Sequence, residues 1–94
     1  MPAVARLGDK DTGHDGFPPR ACDSASSDVF AGGIAIHCQG DHWPTHRSGK
    51  SSHDAVTVGG SSTVFVNGKP IARVGDAISC GGTIAEGSPT VFAG

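Results

Sequence analysis

The chain has 94 residues, enough for one domain with a modest core: hydrophobic residues make up 36% and aromatics 5%, with one Trp and no Tyr. Its formal charge of −2 with neutral His leaves no electrostatic footprint for nucleic acid, and no apolar run reaches membrane-spanning length. Three Cys are too few and odd in number for a disulfide framework, and five His beside them point to metal instead.

Taken in order, residues 1–11, MPAVARLGDKD, lack the apolar stretch of a signal peptide. Synthesis in the cytoplasm is expected, with any exit by a route that needs no cleaved leader. Ala3 to Leu7 reads as a short strand ending at Gly8-Asp9. Residues 10–25 read as a loop containing His14, Pro18, Pro19 and Cys22. Asp28 to Ala31 and Ile34 to Cys38 form a hairpin around Gly32-Gly33. Residues 40–53, GDHWPTHRSGKSSH, read as the longest polar loop and hold His42, His46 and His53. Ala55 to Val58 is a strand ended by Gly59-Gly60. Thr63 to Val66 and Pro70 to Val74 make the main hairpin, because Asn67-Gly68 supplies the two positive-φ residues of a type I′ turn. Thr83 to Ala85 and Thr90 to Ala93 close the chain. No window carries helical apolar periodicity over three turns, so the expectation is one all-β domain over residues 1–94.

The segments repeat. Residues 26–41 align with 61–76 without a gap at an offset of 35, and residues 3–9, AVARLGD, match 70–76, PIARVGD. Residues 87–94 resemble 60–66, as an outgoing strand without its return. Two whole units and two complementary halves make three, and a closed pseudo-threefold arrangement would pair the two chain ends and leave no free sheet edge there. The Gly-Asp pairs that end each return strand have a structural explanation. Gly takes a turn conformation closed to other residues, and Asp can accept from nearby backbone N–H groups in an Asx turn.

Counting from each repeated Asp places His14 five residues after Asp9, His46 five after Asp41 and Cys80 four after Asp76. Around a threefold axis these side chains converge as a tripod, and tetrahedral zinc needs one more ligand. His53 can supply it. His42, four residues before His46, competes for that place, although Pro44 opposes the helix on which such a spacing is familiar. Three imidazoles and one thiolate suit Zn²⁺. His37 and Cys38 fall in a strand and read as wall or core. Cys22 reads as a free thiol, and Trp43 as the cover of the metal loop.

The repeated x-A-R-h-G-D (Val4 to Asp9, Ile71 to Asp76), S-S-x-V-F-x-N-G (Ser61 to Gly68), G-D-x-x-x-x-H (Gly40 to His46) and the ending C-G-G-x-I-x-x-G-S-x-x-V-F-x-G (Cys80 to Gly94) closely resemble the PAAR-repeat proteins, over essentially the whole chain. The resemblance implies a small cone of short β-strands with a zinc near its apex. It carries the ligands onto His14, His46, His53 and Cys80. It also implies a non-enzymatic tip that caps the trimeric β-helical spike (VgrG) of a type VI secretion system or contractile phage tail. One copy per trimer is expected, with possible effector cargo and transient contact with the target membrane. Localisation would then run from cytoplasm to spike tip, and onward into a target cell or a virion. The middle unit departs from the pattern: Ile34-Ala35-Ile36-His37-Cys38-Gln39 replaces an N-G-x-P-x-A-R-like strand, which weakens the wall contacts expected there. With its end at Gly94, right after the last strand, the chain reads as a bare tip without a toxin domain. A small zinc hydrolase is the alternative from another class. It would need an open metal position, and no general base is evident near the site, since Asp54 adjoins His53 but has no counterpart in the repeats. A secreted adhesive module is a third, opposed by the missing leader and the lack of an aromatic-rich stretch.

Overall fold

The computed structural model describes residues 1–94 and contains no helix. Six short strands form three antiparallel ribbons: β1 (Phe30–Ala31) with β2 (Ile34–Ala35), β3 (His42–Ser48) with β4 (Ser51–Val56), and β5 (Phe65–Val66) with β6 (Lys69–Pro70). The turns follow from local chemistry. Asn67 and Gly68 have φ of 52° and 82°, and Gly32 and Gly33 have 60° and 84°, the double positive φ of a type I′ connection.

Two expected loops are in fact hairpins. Residues 40–53 form most of β3 and β4, the longest ribbon, closed by Gly49-Lys50 between paired Ser48 and Ser51. Gly49 alone has positive φ there, 59°, as a type II′ turn requires at its first central residue. Within residues 10–25, Lys10 bridges Ala21 and His14 bridges Phe17. That turn is Asp15-Gly16, with φ of 44° and 83°.

The pseudo-threefold arrangement is carried by the main chain. Ala5 N–H donates to Ala72 O at 2.9 Å, Ala72 N–H to His37 O at 3.1 Å, and His37 N–H to Ala5 O at 3.0 Å, so three equivalent residues close a ring. All three are fully buried. A second ring runs in the opposite sense, from Leu7 to Ala35, Gln39 to Pro70 and Val74 to Ala3. The N-terminal half-unit pairs with the C-terminal one: Ala3 bridges Phe92, and Val4 N–H donates to Val91 O at 3.0 Å. Each unit opens with a serine whose Oγ accepts two backbone N–H groups, Ser26 from Asp28 and Val29, Ser61 from Thr63 and Val64, Ser88 from Thr90 and Val91.

Each unit closes with the same corner. Asp9, Asp41 and Asp76 donate their N–H to the carbonyl three residues back, and their carboxylates accept the N–H of that same residue at 2.7, 2.8 and 2.8 Å. The carboxylate thus reaches backward rather than forward as in an Asx turn. Gly8, Gly40 and Gly75 hold φ of 89°, 88° and 93° at the third position of these turns, which a type II turn reserves for glycine.

Packing follows the ring. On one side Val4, Ile36 and Ile71 meet Ala31, Val66 and Ala93. On the other, Ala5 and Ala72 join Cys22, Trp43, Ala55, Ile78 and Ile84, and Cys80 packs against them. The body is elongated, 38 × 23 × 23 Å. The free thiols of Cys22 and Cys38 lie in these two clusters, and burial above all pushes both up to about 11 from an ordinary value of 9.0. A raised folded-state pKa gives stability that is present below the unfolded value and lost as pH rises through the folded one. The melting temperature should therefore fall between pH 9 and 11 more steeply in the native chain than in a Cys22→Ala/Cys38→Ala variant. Parallel melting curves across that window would remove the thiols as the cause.

Candidate metal centre

His14, His46, His53 and Cys80 come from four separate segments, and their ligand-type atoms all lie within 4.8 Å of one another. His14 sits at the base of the Asp15-Gly16 turn, fixed by reciprocal backbone bonds with Phe17. His46 and His53 face each other across β3 and β4. Their alignment depends on a bulge. Trp43 pairs with Ala55 and His46 with His53, so β3 spends one more residue than β4 between the two pairs. The extra residue in the Pro44-Thr45 segment turns His46 to the buried side that Trp43 also occupies. Cys80 sits in the turn made by Ile78 and Gly82, where Ile78 N–H donates to Gly82 O and Gly81 N–H to Ile78 O.

The Nε2 atoms of the three imidazoles converge on one point. Nε2 of His53 lies 2.9 Å from Nε2 of His14 and 2.8 Å from Nε2 of His46. Nδ1 of His46 is 2.9 Å from Pro18 O, a carbonyl that can only accept, so the proton is on Nδ1 and Nε2 is free. Nδ1 of His14 is buried without a hydrogen-bond partner, with the Asp15 carboxylate 3.6 Å away. Burial first, then His46, His14 and Arg20, hold His53 below its ordinary imidazole value, the condition for a neutral ligand. Three nitrogens and a sulfur this close fit a small divalent ion that accepts N and S donors in tetrahedral geometry.

Two residues that the repeats do not single out complete the surroundings. Phe17 lies over the imidazoles, its ring centroid 5.0 Å from His14, 4.7 Å from His46 and 4.4 Å from His53. It occupies the covering position expected of Trp43. Trp43 is instead fully buried in the second core cluster, where its Nε1 donates to Thr57 Oγ1 at 2.8 Å. Arg20 is buried behind the site. Its Nε donates to Asp11 Oδ2 at 3.1 Å, its Nη1 to Pro44 O at 2.8 Å, and its Nη2 to Cys80 Sγ at 3.0 Å. The ligand form of cysteine is the thiolate, and this N–H offers it a charge-assisted hydrogen bond. The Asp-Gly turn beside Phe17 was the available signal for this hairpin; nothing local marks Arg20.

The other candidates lie elsewhere. His42 turns outward between Asp23 at 2.8 Å and Asp54 at 2.9 Å, and those carboxylates, Asp54 first, raise its proton affinity. It therefore stands outside the cluster, and Asp54 is engaged with it. His37 is a core residue, its Nδ1 donating to Ser24 O at 2.8 Å. Cys22 donates its thiol to Arg6 O at 3.1 Å.

Residues 20–86 match the family described as PAAR motif. Over 33 residues the chain is 52% identical to double-stranded DNA deaminase toxin A of Burkholderia cenocepacia (strain H111), an alignment that covers 35% of this chain and 2% of that protein. The family match spans most of the sequence and takes in both complete repeat units, His46, His53 and Cys80, so the chain belongs to the PAAR-motif family.

Proposed function

We propose that this chain is a zinc-stapled tip that caps a trimeric β-helical spike of the VgrG kind, one copy per trimer, in a type VI secretion apparatus or a contractile phage tail. His14, His46, His53 and Cys80 hold a single structural Zn²⁺, and the tip sharpens the spike for puncture while linking effector cargo to it. Family membership supports a role at a spike tip.

The observation that carries the reading is a threefold apolar surface. Phe30, Phe65 and Phe92 occupy the same place in the three units and are 56%, 54% and 49% exposed. Their neighbours Val29 and Val91 pack into the core. Residues related by a threefold axis share one level along it, and this level adjoins the cluster on the far side of the ring from Cys80. A symmetric trimer ends in three like surfaces, and a single chain matches all three only by offering one contact three times. Exposed backbone of the short strands there can extend the trimer's own strands.

Mass measurement of the complex reconstituted with a cognate spike should give one tip per trimer. The Phe30→Ser/Phe65→Ser/Phe92→Ser variant should keep its metal and its melting curve but lose binding. Three tips per trimer, or full binding by that variant, would contradict the reading.

A further inference from the structure

The middle unit lacks one side chain that the other two share. In two units an arginine precedes the Gly-Asp corner and lies along it. Arg6 donates from Nε and Nη2 to the two carboxylate oxygens of Asp9, and Nη2 also reaches Gly87 O. Arg73 does the same with Asp76 and with Gly60 O at 3.3 Å. The repeat offset of 35 puts Cys38 where Arg73 stands, Asp41 at Asp76 and Ala25 at Gly60. A cavity of about 210 Å³ opens there, lined by Ala25, Cys38, Asp41, Val66, Asn67 and Lys69 among others. Cys38, Asp41 and Val66 at its floor are buried, while Asn67 and Lys69 at its rim are exposed.

The corner itself is intact. Asp41 Oδ2 accepts Cys38 N–H at 2.8 Å, as the aspartates of the sister corners do. Its Oδ1 faces only the ammonium of Lys69, 3.7 Å away on a side chain that is 58% exposed. Lys69 reaches over from the neighbouring unit and supplies one point charge. It does not reproduce the planar two-point contact that a guanidinium makes with a carboxylate.

We propose that this cavity is a receptor slot for the guanidinium of one arginine side chain presented by a protein partner. The two sister corners show the bound arrangement: a fork on both oxygens of the aspartate, with one further N–H directed at the backbone oxygen of the residue before the unit's serine. In the middle unit that oxygen belongs to Ala25, and the buried Cys38 thiol is too short to fill the space. The slot occurs once in a threefold body. A threefold partner would present its arginine three times and find one place for it, so the slot suits a partner bound as a single copy. The proposal goes beyond the tip reading and stands without it.

The test is an NMR titration of the full ¹⁵N-labelled, metal-loaded chain with the peptide acetyl-Gly-Arg-Gly-amide. Saturable shifts are expected at the amides of Cys38, Asp41 and Asn67. The lysine analogue should bind at least about tenfold more weakly, since an ammonium cannot make the forked contact. Cys38→Arg, which fills the slot from within, should abolish the shifts and raise the melting temperature. Asp41→Asn should abolish them as well. Equal shifts with the lysine peptide, the absence of saturable shifts, or undiminished shifts in Cys38→Arg would overturn the proposal.

Discussion

Chelation of the proposed zinc at mildly acidic pH should lower the melting temperature by tens of degrees, and Cys80→Ala should do so without chelator. The expectation rests on the proposed zinc and on where its ligands come from: a tight turn at His14, two facing strands at His46 and His53, and the 77–83 turn at Cys80. Without an ion these four segments bring three imidazole nitrogens and a sulfur into one small volume with no shared cation to hold them there. Structural zinc contributes roughly 10–16 kcal/mol in small peptides, comparable to or larger than the roughly 5–15 kcal/mol stability of a whole domain. Lower pH works in the same direction, because the ligand imidazoles must be neutral and protons compete with the ion. Elemental analysis and melting curves on the single variants check it. His53→Ala should lose the ion and His42→Ala should keep it, since His42 is held by Asp23 and Asp54. An apo chain that melts with the holo curve would show that the β-core suffices alone.

The second large effect is at Trp43. Replacing it by Ala should cost about 3–5 kcal/mol, the range for deleting a buried large aromatic. The fully buried indole is the largest side chain of a cluster it shares with Ala5, Ala72, Ile78 and Ile84. It also anchors a polar chain. Its Nε1–H can only donate, so Thr57 Oγ1 accepts it and has its own hydrogen to offer Nε2 of His37, 2.7 Å away. His37 Nδ1–H donates to Ser24 O, so in the neutral ring Nε2 is the acceptor. Burial, which holds His37 below its ordinary value, favours that neutral ring. Trp43→Phe keeps most of the packing and leaves Thr57 one partner short, so about 1–2 kcal/mol is expected from the lost bond. Urea unfolding of both variants measures the pair. A loss below about 1 kcal/mol in Trp43→Ala would mean that the cluster repacks.

The parts of the structure that were legible in the sequence were those written in local turn chemistry or in the repeats. Asn67-Gly68 and Gly32-Gly33 announce their hairpins, and the repeated Gly-Asp corners brought His14, His46 and Cys80 together from three different units. The β3–β4 ribbon was not legible. A strand shows itself by alternation, and the bulge between Trp43 and His46 puts two buried residues three apart. Its buried side is also made partly of imidazole, so polarity suggested a loop. Trp43 looked like a cover for the same reason: taken as part of a loop, it had no strand to aim it inward. Phe17 and Arg20 escaped because the repeats contain no counterpart of the 10–21 hairpin. Their positions follow from tertiary contacts alone.

The ring of Ala5, His37 and Ala72 bears on how the chain folds. Two of its three bonds join residues near the start of the chain to residues much further along, and the same is true of Val4 with Val91. Such closures give up the entropy of long loops before any contact compensates, and topologies of this kind fold slowly. No single unit can complete a ring. While the chain is being synthesised, Val4 and Ala5 wait for Val91 and Ala72, and the early hairpins meanwhile stand as bare ribbons, marginal on their own in water. Closure of the rings therefore comes late in the synthesis of this domain, which is most vulnerable to aggregation in the interval before residues 3–5 meet residues 72–92.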